Sequence, residues 1–250
     1  MPALSPQEKK DLQARFKKEM KKEVHITLYT VRSAGLLILP GRECQTCPQV
    51  QELLSELVSL SPKLKLAQVD FYTESARAQE ENIQRIPCIT LSHPGATTSN
   101  IRFFGIPAGY GFSAFIETII TLSKEVSPLQ LPTRKALRKL DAPFSLRVFV
   151  APGCTYSPGI ARLAHAMALE NPKILAEVIE VQEFPQLAQQ YGVRSVPKTI
   201  INDMTEVQGA VPEFTFLDRI LTGVGRNDVW EQTGLKKAPG IPSGPTTPIR

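Results

Sequence analysis

The chain has 250 residues, 42% hydrophobic and 21% charged, which is enough length and apolar material for one large domain or two of ordinary size. Much of its formal charge of +5 comes from Lys9, Lys10, Lys17, Lys18, Lys21 and Lys22. No aromatic-rich basic strand accompanies these lysines, so they read as a solvated helix face and not as a nucleic-acid surface.

In chain order, SPQEKKDLQARF opens a helix, with Ser5 as N-cap, Pro6 as first residue and Glu8 completing a capping box. HITLYT at 25–30 reads as an additional strand. LLIL at 36–39 is short enough for a buried strand and stops at Pro40-Gly41. CQTC at 44–47 comes next. Val50, Leu53, Leu54, Leu57 and Val58 then form a helical stripe that Pro62 ends. LKLAQVDF is a second strand; a polar helix follows, and Ile86-Pro87 leads into a third strand.

A connection is expected within 123–143, around Pro128, Pro132 and Pro143. LRVFV then stops at Pro152-Gly153, before CTYS at 154–157. A second stripe runs through Ile160, Leu163, Ala164, Met167 and Ala168, and Pro172 ends it. AEVIEV, another polar helix and Val196-Pro197 complete the series. From Lys236 the chain is rich in Pro and Gly, and 236–250 is expected to be a disordered tail.

The two halves repeat. Residues 36–90 slide onto 146–200 without a gap: Leu36, Pro48, Leu53, Pro62, Lys63, Ala78 and Gln79 recur as Leu146, Pro158, Leu163, Pro172, Lys173, Ala188 and Gln189. This is a duplicated domain and not a short-period solenoid. Each copy has βαβ order, which implies parallel neighbouring strands joined by a crossover, with later strands antiparallel.

Apolar runs fall short of the ~18–20 residues that span a bilayer, and MPALSPQEKK lacks a basic-then-apolar signal region. The expectation is a soluble, cytoplasmic protein with no membrane or nucleic-acid partner. In a reducing compartment a close cysteine pair points to catalysis or metal. A strand, a turn and then C-x-x-C opening a helix place Cys44 at unpaired N–H groups that favour its thiolate. Cys47, one turn on, is in reach to resolve a mixed disulfide. Structural zinc needs four ligands, whereas Cys88 and Cys154 are single and His25, His93 and His165 lack ligand spacing, so no metal site is assigned. Zinc and a static bridge stay open as alternatives to the redox reading.

Ile86-Pro87 and Val196-Pro197 stand at one offset from the cysteines, which points to cis peptides that hold substrate backbone. At the second motif Ser157 cannot close a disulfide. Cys154 either forms mixed disulfides or is a packing relic, and both readings stay open. Cys88 reads as a buried small hydrophobe. Ile38, six residues before Cys44, stands where a buried acid would sit, Glu43 is expected to be exposed, and no proton acceptor is named. His165 is expected at a surface or boundary, and Tyr156 is expected to shape the second site.

CQTC, VDF, IQRIPCITL, FFGIPAGYGFSAF, RVFVAPGCTYSP, LAHAMALEN, YGVRSVPK and GAVPE, in this order and spacing, carry a resemblance over residues 5–225. The chain resembles the protein disulfide oxidoreductases of thermophilic archaea and bacteria. These are tandem thioredoxin-fold proteins related to glutaredoxin and to the N-terminal part of the flavoprotein that reduces peroxiredoxins. The resemblance implies an α/β fold of two thioredoxin-like units, each a mixed central sheet flanked by helices. The expected division is 1–125 with CQTC, 126–235 with CTYS, and the tail.

It also implies thiol–disulfide exchange in the cytoplasm through Cys44 and Cys47, which would form a Cys44–Cys47 disulfide. Pro87 and Ile86 would bind substrate, and Cys154, Ser157 and Pro197 would make a second site. Implied partners are protein disulfides and a flavin-dependent, thioredoxin-reductase-like electron donor, with no bound cofactor. The alternatives are a dedicated electron carrier to a peroxidase and a redox-inert thioredoxin-fold docking module. Members of the family usually carry a dithiol in both units, and CTYS departs from that.

Overall fold

The computed structural model describes residues 3–31, 43–96 and 99–233, and the chain divides into two units. The first comprises Met1–Pro107 and Ile119–Glu125; the second comprises Ala108–Thr118 and Val126–Arg250. The expected tail at 236–250 and the strand expected at 36–39 lie outside the described residues.

The first unit begins with α1 (Pro6–Glu19), where the expected capping box forms: Glu8 N donates to Ser5 Oγ at 3.3 Å and Ser5 N donates to Glu8 Oε2 at 2.8 Å. The chain continues through β1 (Val24–Thr30), α2 (Cys47–Ser59), β2 (Leu64–Asp70), α3 (Ser75–Glu80), β3 (Cys88–Ser92) and β4 (Ile101–Phe104). The sheet order is β2-β1-β3-β4, with β1 parallel to β2 and the later pairings antiparallel. α4 (Tyr110–Lys124) is divided between the units at Thr118.

The second unit repeats the plan. It contains α5 (Leu131–Leu137), β5 (Phe144–Val150), α6 (Ser157–Glu170), β6 (Ile174–Glu180), α7 (Pro185–Gln190), β7 (Lys198–Ile201), β8 (Thr205–Gln208), α8 (Glu213–Gly223) and α9 (Asp228–Thr233). Its sheet order is β6-β5-β7-β8, with β5 parallel to β6 and the later pairings antiparallel. Each unit is a mixed sheet flanked by helices.

Two expectations need correction. HITLYT is not an additional strand: it forms β1, flanked on both sides, the place expected for LLIL. Val24 faces Leu64 and Phe144 faces Ile174, so the offset is 120 at the first strand and 110 at the second. The gap-free register therefore holds only from the cysteine motifs onward, where α2 and α6, β2 and β6, α3 and α7, and β3 and β7 all begin 110 apart. The first unit carries ten more residues between its first strand and its cysteines. The expected connection at 123–143 contains α5, with Pro132 in its first turn.

The repeat extends to turn chemistry. Asp70 Oδ1 accepts from the N–H groups of Tyr72 and Thr73 at 3.0 and 2.8 Å, and Glu180 accepts from Gln182 and Glu183 at 3.0 and 2.9 Å. Each second strand thus ends on an acid that closes the turn before the polar helix. Burial pushes the Glu180 carboxyl above the usual range, although the two N–H donors oppose it.

The core follows the expected stripe. Val50, Leu53, Leu54 and Leu57 of α2 are all buried, as are Val24, Ile26 and Leu28 of β1. Burying each such side chain contributes about 1.5–3 kcal/mol before conformational entropy is counted.

Candidate active site

Cys47 is the first residue of α2 and Thr46 is its N-cap, so Cys44 precedes the helix instead of opening it. The same holds in the second unit, where α6 starts at Ser157 with Tyr156 as N-cap and Cys154 lies before it. The helix still reaches the first cysteine, because its foremost N–H groups point back toward the turn. Cys47 is 1% exposed and heads the buried stripe that continues through Val50 and Leu54, whereas Cys44 is half-buried. A disulfide joins Cys44 and Cys47, whose Cα atoms are 5.4 Å apart.

Both expected cis peptides are present, at Ile86-Pro87 and Val196-Pro197. The carbonyl of each proline is held by a glycine N–H from the loop after the last strand, Gly105 to Pro87 at 3.0 Å and Gly209 to Pro197 at 2.8 Å. Pro87 is buried while Ile86 stays half-exposed just before β3. Cys88 is fully buried in β3, as expected.

At the second motif the structure brings Cys154, Ser157 and Val196-Pro197 together. With Cys154 as a thiol, its Sγ donates to Val196 O at 3.5 Å, and the Ser157 Oγ, on a residue 2% exposed, has no hydrogen-bond partner. A thiolate changes this. Burial raises the Cys154 pKa, but the Ser157 hydroxyl and the N–H groups of Tyr156 and Ser157 outweigh burial and hold it below the ordinary thiol value.

Two residues here depart from expectation. His165 is buried, 3% exposed, and its Nδ1 lies 3.1 Å from Thr118 Oγ1. Thr118 Oγ1 also donates to Ala114 O at 2.9 Å, so the contact to His165 is part of the packing of the unit. Tyr156 is 69% exposed and stands out from the site. Ile38 lies outside the described residues; six residues before Cys154 stands Val148 of β5, whose counterpart on β1 is Leu28, and both are buried and apolar. Glu43 is exposed, as expected.

Two supporting groups were not anticipated from sequence. Tyr110 N donates to Pro152 O at 3.0 Å, and Gly109, with φ of 55°, lies so close that a Cβ would meet the same oxygen at 2.5 Å. Gln208 Nε2 donates to Ser195 O at 3.2 Å, Ser195 Oγ at 3.1 Å and Pro197 O at 3.2 Å. A glycine inside AGY is a visible signal for a tight approach. Gln208 has none, since its role depends on β8 pairing with β7.

The described residues include no group of three or more His, Cys, Asp or Glu side chains arranged to hold a metal, and no helix long and apolar enough to cross a membrane.

Comparison with known proteins agrees with this geometry. The thioredoxin-domain family matches residues 145–222, within the second unit. Among curated relatives, the F component of alkyl hydroperoxide reductase from Pseudomonas aeruginosa is 24% identical over 181 residues, 72% of this chain and 32% of that protein. The chain thus spans about a third of the length of such relatives. The crystal structure of a protein disulfide oxidoreductase from Aeropyrum pernix is similar with a TM-score of 0.77 and 29% identity, covering 89% of this chain and 94% of that one. Thioredoxin of Methanocaldococcus jannaschii is 33% identical over 76 residues, which are 30% of this chain but 89% of that protein. With the sheet order, the cysteine pair and the cis-prolines already in place, that near-complete coverage of a thioredoxin means the chain belongs to the thioredoxin family.

Proposed function

We propose that this protein is a cytoplasmic thiol–disulfide oxidoreductase that acts on protein disulfides through Cys44 and Cys47. The observation that carries the reading is the pairing of a half-exposed Cys44 with a buried Cys47 within disulfide reach. In the reduced protein, the Cys44 thiolate attacks one substrate sulfur. A Cys44–substrate bond forms, the substrate S–S bond breaks, and the leaving sulfur takes up a proton. Cys47 then gives up its proton and attacks Cys44 Sγ. The second substrate thiol leaves and the Cys44–Cys47 disulfide remains, two electrons having passed to the substrate. The half-exposed Ile86 with cis-Pro87 positions the substrate chain.

The next cycle needs a reductant, for which a flavin-dependent, thioredoxin-reductase-like protein is proposed. Similarity to the F component of alkyl hydroperoxide reductase supports a second reading, that of an electron carrier to a peroxidase. The two readings share the Cys44–Cys47 chemistry and differ in the acceptor.

Insulin reduction with dithiothreitol tests the shared chemistry. Wild-type protein should accelerate turbidity, Cys44→Ser should lose that acceleration, and Cys47→Ser should accumulate mixed disulfides on Cys44. Brief alkylation of reduced protein should label Cys44 before Cys47. Full turnover by Cys44→Ser would sink the proposal, and no turnover by wild type would favour a redox-inert docking module.

A further inference from the structure

The second motif retains three features of a working site although it lacks a second sulfur. Cys154 is half-exposed, and Thr155 and Tyr156 beside it are exposed, so reagents have access. Ser157 is 2% exposed and its hydroxyl has no partner while Cys154 is a thiol. An unpartnered buried hydroxyl is destabilising, and a packing relic would have no reason to retain one at this position. The hydroxyl gains its acceptor when Cys154 ionises, and the N–H groups of Tyr156 and Ser157 converge on the same sulfur.

The neighbouring loop limits what this site takes. Gln208 Nε2 occupies Ser195 O and Pro197 O, and Gly209 N also occupies Pro197 O. Of these three consecutive carbonyls, Val196 O alone remains beside Cys154, as the acceptor of its thiol. A peptide adding itself as a strand needs a row of available backbone groups, whereas a small disulfide needs only the sulfur. The matching position of the first unit carries no such amide. Phe104 faces Cys88 there as Gln208 faces Lys198, and a phenyl ring donates no hydrogen bond.

We propose that Cys154 is a second, monothiol exchange site for low-molecular-weight disulfides, with Ser157 as the positioning residue that stabilises its thiolate. In the forward step the Cys154 thiolate attacks one sulfur of RS–SR. The Cys154–SR bond forms, the S–S bond of the reagent breaks, and RS⁻ leaves and is protonated. Cys154 is oxidised to the mixed disulfide while half of the reagent is reduced. Ser157 has no sulfur with which to displace RS, so the return step needs an external thiol. Attack by R′S⁻ on the bound RS sulfur releases RS–SR′ and restores the Cys154 thiolate. This site goes beyond the Cys44–Cys47 reading and does not depend on it.

The test uses the full chain with Cys44→Ser and Cys47→Ser, treated with bis(2-hydroxyethyl) disulfide as probe. Intact mass should show one adduct, mapped to Cys154 and removed by dithiothreitol, with the buried Cys88 unmodified. The rate of adduct formation should rise with pH through an inflection below that of free cysteine. Ser157→Ala should move the inflection upward and slow the reaction at neutral pH about tenfold, the size of one hydrogen bond to a charged acceptor. Ser157→Thr, which keeps the hydroxyl, should restore both.

A merely structural Ser157 would leave the pH profile unmoved, and that result would overturn its assignment. No adduct, or an inflection at or above that of free cysteine, would overturn the site. Preferential capture of insulin chains over the small probe would overturn the substrate class. Should Ser157→Ala fail to fold, the pH profile of the variant that retains Ser157 decides alone. Because the first dithiol is absent throughout, failure here leaves the Cys44–Cys47 reading untouched.

Discussion

Cys47 and Ser157 occupy the same first helical position, 1% and 2% exposed, one with sulfur and one with oxygen. In the first unit that atom closes a disulfide; in the second it can only donate to a neighbouring thiolate. Other single residues carry stability. Glu19 of α1 accepts from Lys124 at 2.8 Å and from Arg15 at 2.9 Å, and these bonds, Lys124 first, bring its carboxyl from the ordinary 4.5 down to about 2. A carboxylate depressed on folding stabilises the protein above its unfolded value and loses that contribution as pH falls toward the folded value. Solvent screens this pair, so Glu19→Gln should cost about 0.5–1 kcal/mol near neutral pH. The difference from wild type should shrink as the pH falls from 4.5 toward 2. Urea unfolding at a series of pH values measures it, and a cost independent of pH would refute the ion-pair account.

At the scale of elements, β1 changes how the repeat is read. LLIL is the more apolar run, and by composition alone it is the better candidate for a buried strand than VHITLYT. Yet Val24–Thr30 is almost wholly buried, because polar Thr27 and Thr30 lie in a strand covered on both faces and flanked by β2 and β3. Tyr29 donates to Glu81 Oε1 at 2.7 Å, and its phenol is raised far above its ordinary value, by burial first and then by that carboxylate. A central strand has both rows of backbone groups paired and opens only with the whole sheet. Hydrogen–deuterium exchange should therefore find the amides of 24–30 and 144–150 among the slowest in their units. Rapid exchange across 24–30 would remove β1 from the centre.

For the whole molecule, the division at Thr118 places the first part of α4 with the second unit. Among the bonds that join that part to its unit are Tyr110 N to Pro152 O at 3.0 Å, next to the CTYS turn, and His165 to Thr118 at 3.1 Å. A fragment of residues 108–250 keeps both, whereas 126–250 lacks them. We expect the longer fragment to unfold cooperatively and to melt at least about 5 °C above the shorter, as loss of ~1–2 kcal/mol implies for a domain of this size. Equal melting temperatures would show that 108–118 is dispensable to the second unit.

The sequence alone determined what is local or periodic. The capping box at Ser5 and Glu8, the buried stripe of α2, the cis-prolines and the 110-residue recurrence from Cys44 onward depend on spacing, and each appears where spacing puts it. Tertiary structure decided what depends on neighbours distant in the chain. Which of two apolar runs becomes the central strand is set by pairing with β2 and β3, and a repeat comparison cannot see ten residues inserted ahead of the cysteines. His165 looks polar enough for a surface, but Thr118, 47 residues away, gives its ring nitrogen a partner inside the unit. The unspent hydroxyl of Ser157 and the amide of Gln208 likewise gain meaning only through the cis-proline loop they flank, because a hydrogen bond is fixed by where the partner stands in space and not by its place in the chain.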